Sequence, residues 1–273
     1  MNPQTLNECE RVAINLALNA GQMMQTSSGK KLQIDEKISY ADLVTETDKA
    51  IEVYVFEELR KHFPTHRFIG EETSEKAPLT DEPTWIVDPI DGTMNFVHTF
   101  PFVCISIALI YNKEPILGVV YSPFLDKLYT AKKGFGAYCN GVPLKVRECE
   151  SLQKALLIFE LGNARDEEKI NSVFANFQKL AFKCSGMRST GSAALNICAI
   201  ANGYADGYYE FGLHCWDLAA GVIILTEAGG CAMDTEGGSL DLMSRRLLVA
   251  CNESLAKTIS KELVSHLKLE RDD

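Results

Sequence analysis

Apolar residues recur at steps of three and four near the start of the chain, at Leu6, Cys9, Ala13, Leu16, Ala20 and Met23. That spacing marks one face of an amphipathic helix. Asn2-Pro3 is a start signal for it and Ser27-Ser28-Gly29 a stop. Ile51, Val55, Leu59 and Phe63 form a second such face and predict a helix over 48–62. Thr45 and Asp48 have capping-box spacing at its start. The middle of the chain switches to strands. Segments 103–111 and 116–121 flank Asn112-Lys113-Glu114-Pro115 as a hairpin, and 127–131 and 137–139 follow, with Asn140-Gly141 as a turn. An antiparallel meander is expected there. The second half alternates. Strands are predicted at 156–160, 204–211 and 247–251, and helices at 167–180, 192–202 and 217–228, the last stopped by Gly229-Gly230. Asn252 then caps a terminal helix carrying Leu255, Ile259, Leu263 and Leu267. With no repeat and no clear linker, 1–273 is expected to form one α/β unit of layered helices and sheets, with a softer seam near 145–155.

One segment breaks the pattern. Residues 85–96 read WIVDPIDGTMNF, an apolar strand that runs into Asp88 and Asp91 and then turns on Gly92. Two other acidic sites also end regular elements. Glu71-Glu72 follows a short apolar segment at 66–70, and Asp217 opens a buried helix. Singly, Asp91-Gly92 is a turn, Asp217 a helix cap and Glu71-Glu72 a solvated bend. Their shared placement points further, because buried carboxylates are costly unless paired or bound to metal. Hard oxygen ligands without clustered histidines suit Mg²⁺, Mn²⁺ or Ca²⁺. Ile90 stands where an EF-hand loop would need an acid. Carboxylates converging from separate segments fit a two-metal site. The helical turns opening at Gly92-Thr93 and at Gly191-Ser192-Ala193 offer backbone N–H groups to an anion, so a phosphate is the expected ligand.

Charge and composition narrow the classes. Lys plus Arg is 27 against 37 Asp plus Glu, a formal net charge of -10. This excludes a general nucleic-acid or anionic-membrane binder, and bound metal would supply the local positive charge an anionic substrate needs. Nine scattered cysteines without CxxC or zinc spacing read as reduced cytoplasmic thiols. The N-terminal segment lacks the basic start and apolar run of a signal peptide, and no apolar run is long enough to span a bilayer.

Four strings together resemble the inositol monophosphatase family of lithium-sensitive, metal-dependent phosphatases. They are Ala41-Asp42-Leu43-Val44-Thr45, Gly70-Glu71-Glu72, Asp88-Pro89-Ile90-Asp91-Gly92-Thr93 and Trp216-Asp217-Leu218-Ala219-Ala220-Gly221. The likeness runs over essentially the whole chain, and the stretch 210–217 is especially similar to animal-type members. The resemblance implies a layered αβαβα sandwich, as in the fructose-1,6-bisphosphatase and inositol monophosphatase folds. It implies Mg²⁺-dependent hydrolysis of myo-inositol monophosphates by a homodimer. Glu71, Asp88 and the Ile90 carbonyl would hold a first Mg²⁺, and Asp88, Asp91 and Asp217 a second, with a weaker third near Glu71. Thr93, oriented by Asp48, would help activate the attacking water, and with Glu71 these form the expected catalytic set. Glu72 would support the water network or the backbone. Asp91, Gly92, Thr93, Gly191, Ser192, Ala193, Glu210 and Asp217 would surround the substrate, with Ala193 and Glu210 on the inositol hydroxyls. Ser192 stands where relatives often have Thr, and 37–42, which differs in its middle residues, would be a mobile flap. Rival readings are a phosphatase of nucleotides or sugar bisphosphates and a non-enzymatic metal-binding scaffold. No catalytic role falls to the cysteines.

Overall fold

The computed structural model describes residues 2–30, 33–37, 40–73 and 77–273, without the side chain of Pro3. Ile38 and Ser39 of the expected flap lie outside the described residues. The chain opens with α1 (Pro3–Ser27), β1 (Ile34–Glu36), β2 (Leu43–Thr45), α2 (Glu46–His62) and β3 (Arg67–Gly70). Next come β4 (Thr84–Asp91), the short α3 (Thr93–Val97), and the meander β5 (Cys104–Tyr111), β6 (Glu114–Ser122), β7 (Lys127–Lys132), β8 (Ala137–Cys139) and β9 (Val142–Pro143). The second half holds β10 (Leu156–Phe159), α4 (Glu167–Ala181), β11 (Gly186–Arg188), α5 (Ala193–Ala201) and β12 (Gly207–Phe211). It ends with α6 (Cys215–Glu227), β13 (Cys231–Met233), β14 (Arg246–Ala250) and α7 (Glu253–Glu262).

Seven strands pair in the order β3-β4-β5-β6-β7-β8-β9, and five in the order β11-β10-β12-β14-β13. α1 and α2 cover one face of the larger sheet, where Ile51, Val55 and Leu59 of α2 meet Trp85, Val87 and Ile107. α5 and α6 fill the space between the sheets, and α4 and α7 cover the outer face of the smaller one. The layers are therefore αβαβα, as the resemblance implies. α6 is apolar nearly all round because it is enclosed by both sheets.

The helix starts follow their sequence signals. Asn2 Oδ1 accepts from Thr5 N at 2.8 Å, and Thr45 with Asp48 completes the capping box of α2. Three expectations need correction. The hairpin between β5 and β6 turns on Asn112 and Lys113 alone, both at positive φ, and Pro115 pairs with Ile110 beside a register shift. Two-residue turns of that kind match the strand twist, and a bulge tolerates a residue without an N–H. The last helix stops at Glu262, so Leu267 lies beyond it although still buried. Buried Asn176 draws the chain off the helix, accepting from Val264 N and Ser265 N and donating to Ser265 O. The strand expected from 204 begins at Gly207, because Asp206 accepts from Leu156 N at 2.8 Å and fixes the strand entrance. β11 and β13, three residues each, are too short to show a period.

Candidate active site

A bulge puts two carboxylates on one face of β4. Strand alternation sends residues three apart to opposite faces. In the pairing with β5, Asp88 stands opposite Ser106 and Asp91 opposite Cys104, so three steps on β4 match two on β5. The extra residue returns Asp91 to the Asp88 face. That face looks into the inter-sheet layer, whereas Trp85, Val87 and Ile90 pack beneath α1 and α2. Asp217 joins from the first turn of α6, where its Oδ2 also accepts from His214 N at 2.6 Å. One oxygen from each of Asp88, Asp91 and Asp217 lies within 4.8 Å of the others.

The cluster is held against its own charge. Burial, then Glu71, Asp91 and Asp217, raises the Asp88 pKa well above the carboxylate range. Burial and then Asp91 and Glu71 do the same to Asp217. Burial also raises Asp91, offset by donors from Ser192 Oγ at 2.5 Å, Ala194 N at 2.8 Å and Ala193 N at 3.2 Å. Among the described residues nothing hydrogen-bonds the buried Asp88 Oδ1. An orphaned carboxylate oxygen amid three other acids is what a hard divalent cation would satisfy, so the donor set fits Mg²⁺ or a similar ion.

Glu71 stands beside this triad, and its nearest described cation is Lys37. Lys37 Nζ is 2.8 Å from Glu71 Oε1 and 2.7 Å from Glu72 Oε1. Glu72 N donates to the buried Glu52 at 2.9 Å, so Glu72 also anchors the turn after β3. The Thr93 hydroxyl lies 3.0 Å from both Asp48 Oδ1 and the Ile90 carbonyl. Asp48 accepts on its other oxygen from Thr45 N at 2.9 Å and from the Thr45 hydroxyl. Burial dominates and pushes the Asp48 pKa up to about 6, although these donors oppose it. Gly92 sits at φ 93, and a Cβ there would come 3.0 Å from the Phe102 carbonyl and 3.1 Å from that of Gly191. Only glycine fits this turn. The first-turn N–H groups of α3 have no partner within the helix.

Lys37, Glu71, Asp88, Asp91, Thr93 and Asp217 line one cleft of about 650 Å³, which Glu210 lines as well. Glu210 is buried at the end of β12, and the Tyr208 hydroxyl donates to its Oε2. Burial first, then Glu160, pushes its pKa up to about 8, with Lys169 opposing.

The sequence profile of the Inositol monophosphatase family matches residues 5–268. The chain belongs to that family. It is 48% identical over 270 residues to rat inositol monophosphatase 1, covering 97% of each chain. It is 46% identical over 271 residues to mouse inositol monophosphatase 2, covering 98% of this chain and 93% of that one. The solved inositol monophosphatase of Anabaena (Nostoc) superposes with a TM-score of 0.84 at 35% identity, over 97% of this chain and 98% of that one.

In this family member the acids quoted from the sequence do come together, with Thr93 and Asp48 beside them. The N-terminus of α5 differs from its expected role. The anion it holds is the Asp91 carboxylate, bound by Ser192, Ala193 and Ala194, while Gly191 N donates to Glu160 Oε1 at 2.8 Å. Gly191, Ser192 and Ala193 still line the cleft, but the N–H groups of Gly191 and Ala193 and the Ser192 hydroxyl serve the protein. Sequence reasoning misses Glu160, whose carboxylate also accepts from Ser189 Oγ, Thr190 N and Asn196 Nδ2 and so shapes this loop. It misses Asn95, which ties α3 to the same loop by donating to Thr190 O at 2.8 Å. Lys37 and Lys169 are missed too, since the acids beside them in sequence, Asp35-Glu36 and Asp166 to Glu168, are not the ones they face in the cleft, which are Glu71 and Glu72 for Lys37 and Glu210 for Lys169.

The crowded acids predict how stability depends on pH. Asp48, Glu71, Glu72, Asp88, Asp91, Asp217 and Glu210 all have raised pKa values. A raised carboxylic acid contributes stability that is full below its unfolded pKa and lost as pH rises through its folded one. For Asp48 that loss runs from 3.8 to about 6, and for Glu210 from 4.5 to about 8. In chelator, the thermal midpoint should therefore fall between pH 6 and pH 8, and saturating Mg²⁺ should flatten that slope. A midpoint that climbs with pH in chelator contradicts this picture.

Proposed function

We propose that this protein hydrolyses myo-inositol monophosphates to myo-inositol and phosphate by direct attack of water, with Mg²⁺ as cofactor. The observation that carries this reading is the placement of the Asp88, Asp91 and Asp217 cluster and of Glu210 along one cleft. Glu71, Asp88 and the Ile90 carbonyl would hold one Mg²⁺, and Asp88, Asp91 and Asp217 a second, with a weaker third near Glu71. When bound, the ions neutralise phosphate charge and lower the pKa of a water. The chain's own groups do the rest. Thr93 gives its hydroxyl proton to Asp48 Oδ1, which leaves the Thr93 oxygen free to accept from the attacking water. Asp48, ionised at neutral pH, ends that proton path. The first-turn N–H groups of α3, without a partner inside the helix, suit the phosphate oxygens. Glu210 accepts hydrogen bonds from ring hydroxyls and fixes the polyol.

Phosphate release should be measured with Mg²⁺ on inositol 1-phosphate, a nucleoside monophosphate, fructose 1,6-bisphosphate and p-nitrophenyl phosphate. The reading requires the highest kcat/KM on the inositol ester. Preference for the nucleotide or the bisphosphate would move the assignment to a sibling activity, and no turnover at all would leave a metal-binding scaffold.

Glu210→Gln separates polyol recognition from chemistry. Charge-assisted hydrogen bonds contribute about 1.5–3 kcal/mol each, so kcat/KM on inositol 1-phosphate should fall roughly ten-fold or more. The aryl phosphate offers no ring hydroxyl and should be spared. Equal loss on both substrates would instead make Glu210 a support of the acid cluster. Li⁺ is expected to inhibit uncompetitively against inositol 1-phosphate, and a purely competitive pattern would speak against the two-ion reading. We place the enzyme in the cytoplasm as a homodimer. Nine free cysteines suit a reducing compartment, and no described helix is long and apolar enough to cross a membrane. Sedimentation of the purified chain tests the dimer.

A further inference from the structure

Lys169 is a buried cation that the mechanism above does not use. It lies in the first turn of α4, where a positive charge opposes the helix dipole, and only 4% of it is exposed. Lysine is almost never buried this far without a partner. Yet Nζ makes no hydrogen bond and no ion pair with any described residue. Two glycines make room for it. A Cβ on Gly162 would lie 2.4 Å from Nζ, and one on Gly212 would lie 2.7 Å from it. Both glycines have positive φ and both line the cleft, as Lys169 itself does.

The same point beside Gly162 is 3.1 Å from Glu210 Oε1. Nζ and Oε1 are thus near neighbours across Gly162, beyond ion-pair distance yet close enough for one oxygen standing in the cleft to bridge them at about 2.7–3.0 Å to each. The other charges at this end are already engaged. Arg165 donates to the Gly162 and Ala164 carbonyls, and Arg245 to Gly212 O. Arg245 also faces Asp272, while Asp166 caps α4 through Lys169 N. Glu160 is occupied by the 189–191 loop and Asn196. Tyr208 takes Glu210 Oε2 and leaves Oε1 to the cleft.

Resting on the polyol-phosphate reading, we propose that Lys169 is a specificity-determining residue. With Glu210 it grips a single ring hydroxyl, which donates to the carboxylate and accepts from the ammonium. A hydroxyl both donates and accepts, and so completes both partners.

The test measures kcat/KM for inositol 1-phosphate and its monodeoxy analogues, using wild type, Lys169→Met and Lys169→Gln, with p-nitrophenyl phosphate as the control. In wild type one deoxy analogue should fall about ten-fold or more below the parent. Lys169→Met should lower the parent by a similar factor, largely erase the gap between parent and that analogue, and leave the aryl phosphate unchanged. Lys169→Gln keeps an N–H donor and should narrow the gap without closing it, which also covers the case in which the Met variant does not fold. An unchanged gap in the variants, or an equal loss on the aryl phosphate, would overturn the role of Lys169 alone, whereas active wild type with a flat deoxy profile would overturn the Lys169 and Glu210 contacts together. Wild type without turnover of the inositol ester would remove the polyol-phosphate reading, and this inference with it.

Discussion

Asp217→Asn is expected to leave a folded protein whose turnover of inositol 1-phosphate at limiting Mg²⁺ is roughly a thousand-fold or more below wild type. The variant keeps an oxygen that can accept from His214 N, so the cap of α6 survives. It loses one of three charges converging within 4.8 Å, and with it the full-strength ligand set for the second ion. A metal at such a site supplies several kcal/mol of transition-state stabilisation, and each 1.36 kcal/mol is about ten-fold in rate. The metal-free protein should become more stable, because Asp217 is buried among like charges. Asp91→Asn should lose comparable activity but also some stability, since Asp91 holds Ser192, Ala193 and Ala194 with both oxygens and an amide offers only one acceptor. Turnover against Mg²⁺ concentration, with melting in chelator, checks both variants. Near-normal activity at limiting Mg²⁺ in either would refute its role as a ligand.

Thr93→Ala should separate binding from chemistry. Its hydroxyl links Asp48 to the cleft and belongs to none of the three clustered acids. Mg²⁺ affinity by calorimetry should hardly change, while kcat falls roughly a hundred-fold or more, in the range of a lost proton-transfer partner. The same hydroxyl also reaches the Ile90 carbonyl and so braces the turn. Parallel loss of affinity and rate would make that brace its main contribution.

What the sequence made legible has a physical pattern. α1 and α2 were readable because each buries one stripe and carries its own cap. The meander was readable because its apolar, β-branched runs are short and are separated by turns at Asn112 and Asn140. Asp88, Asp91, Asp217 and Glu71 stood out because carboxylates at the ends of apolar segments violate burial unless something compensates. The bulge that unites Asp88 and Asp91 was invisible, since it depends on the register against β5. The layered order and the Mg²⁺ expectation came from resemblance rather than from periodicity. Long-range partners also escaped. Lys37 meets Glu71 across 34 residues, and Glu160 holds the 189–191 loop from about 30 residues away. The start of α5 reads as an anion site, and the anion it holds is the protein's own Asp91, 102 residues upstream in the case of Ala193 N. Local sequence carries no trace of such pairings.

The central claim is that the cleft turns over a polyol phosphate only with divalent metal at its acid cluster. The most direct measurement strips the wild-type protein with chelator and follows phosphate release from D-myo-inositol 1-phosphate as Mg²⁺ is restored. The account predicts essentially no release in chelator and a saturable rise with Mg²⁺, steeper in kcat/KM for the inositol ester than for p-nitrophenyl phosphate. Full activity in chelator, or Mg²⁺ that restores the aryl phosphate and not the inositol ester, would contradict it.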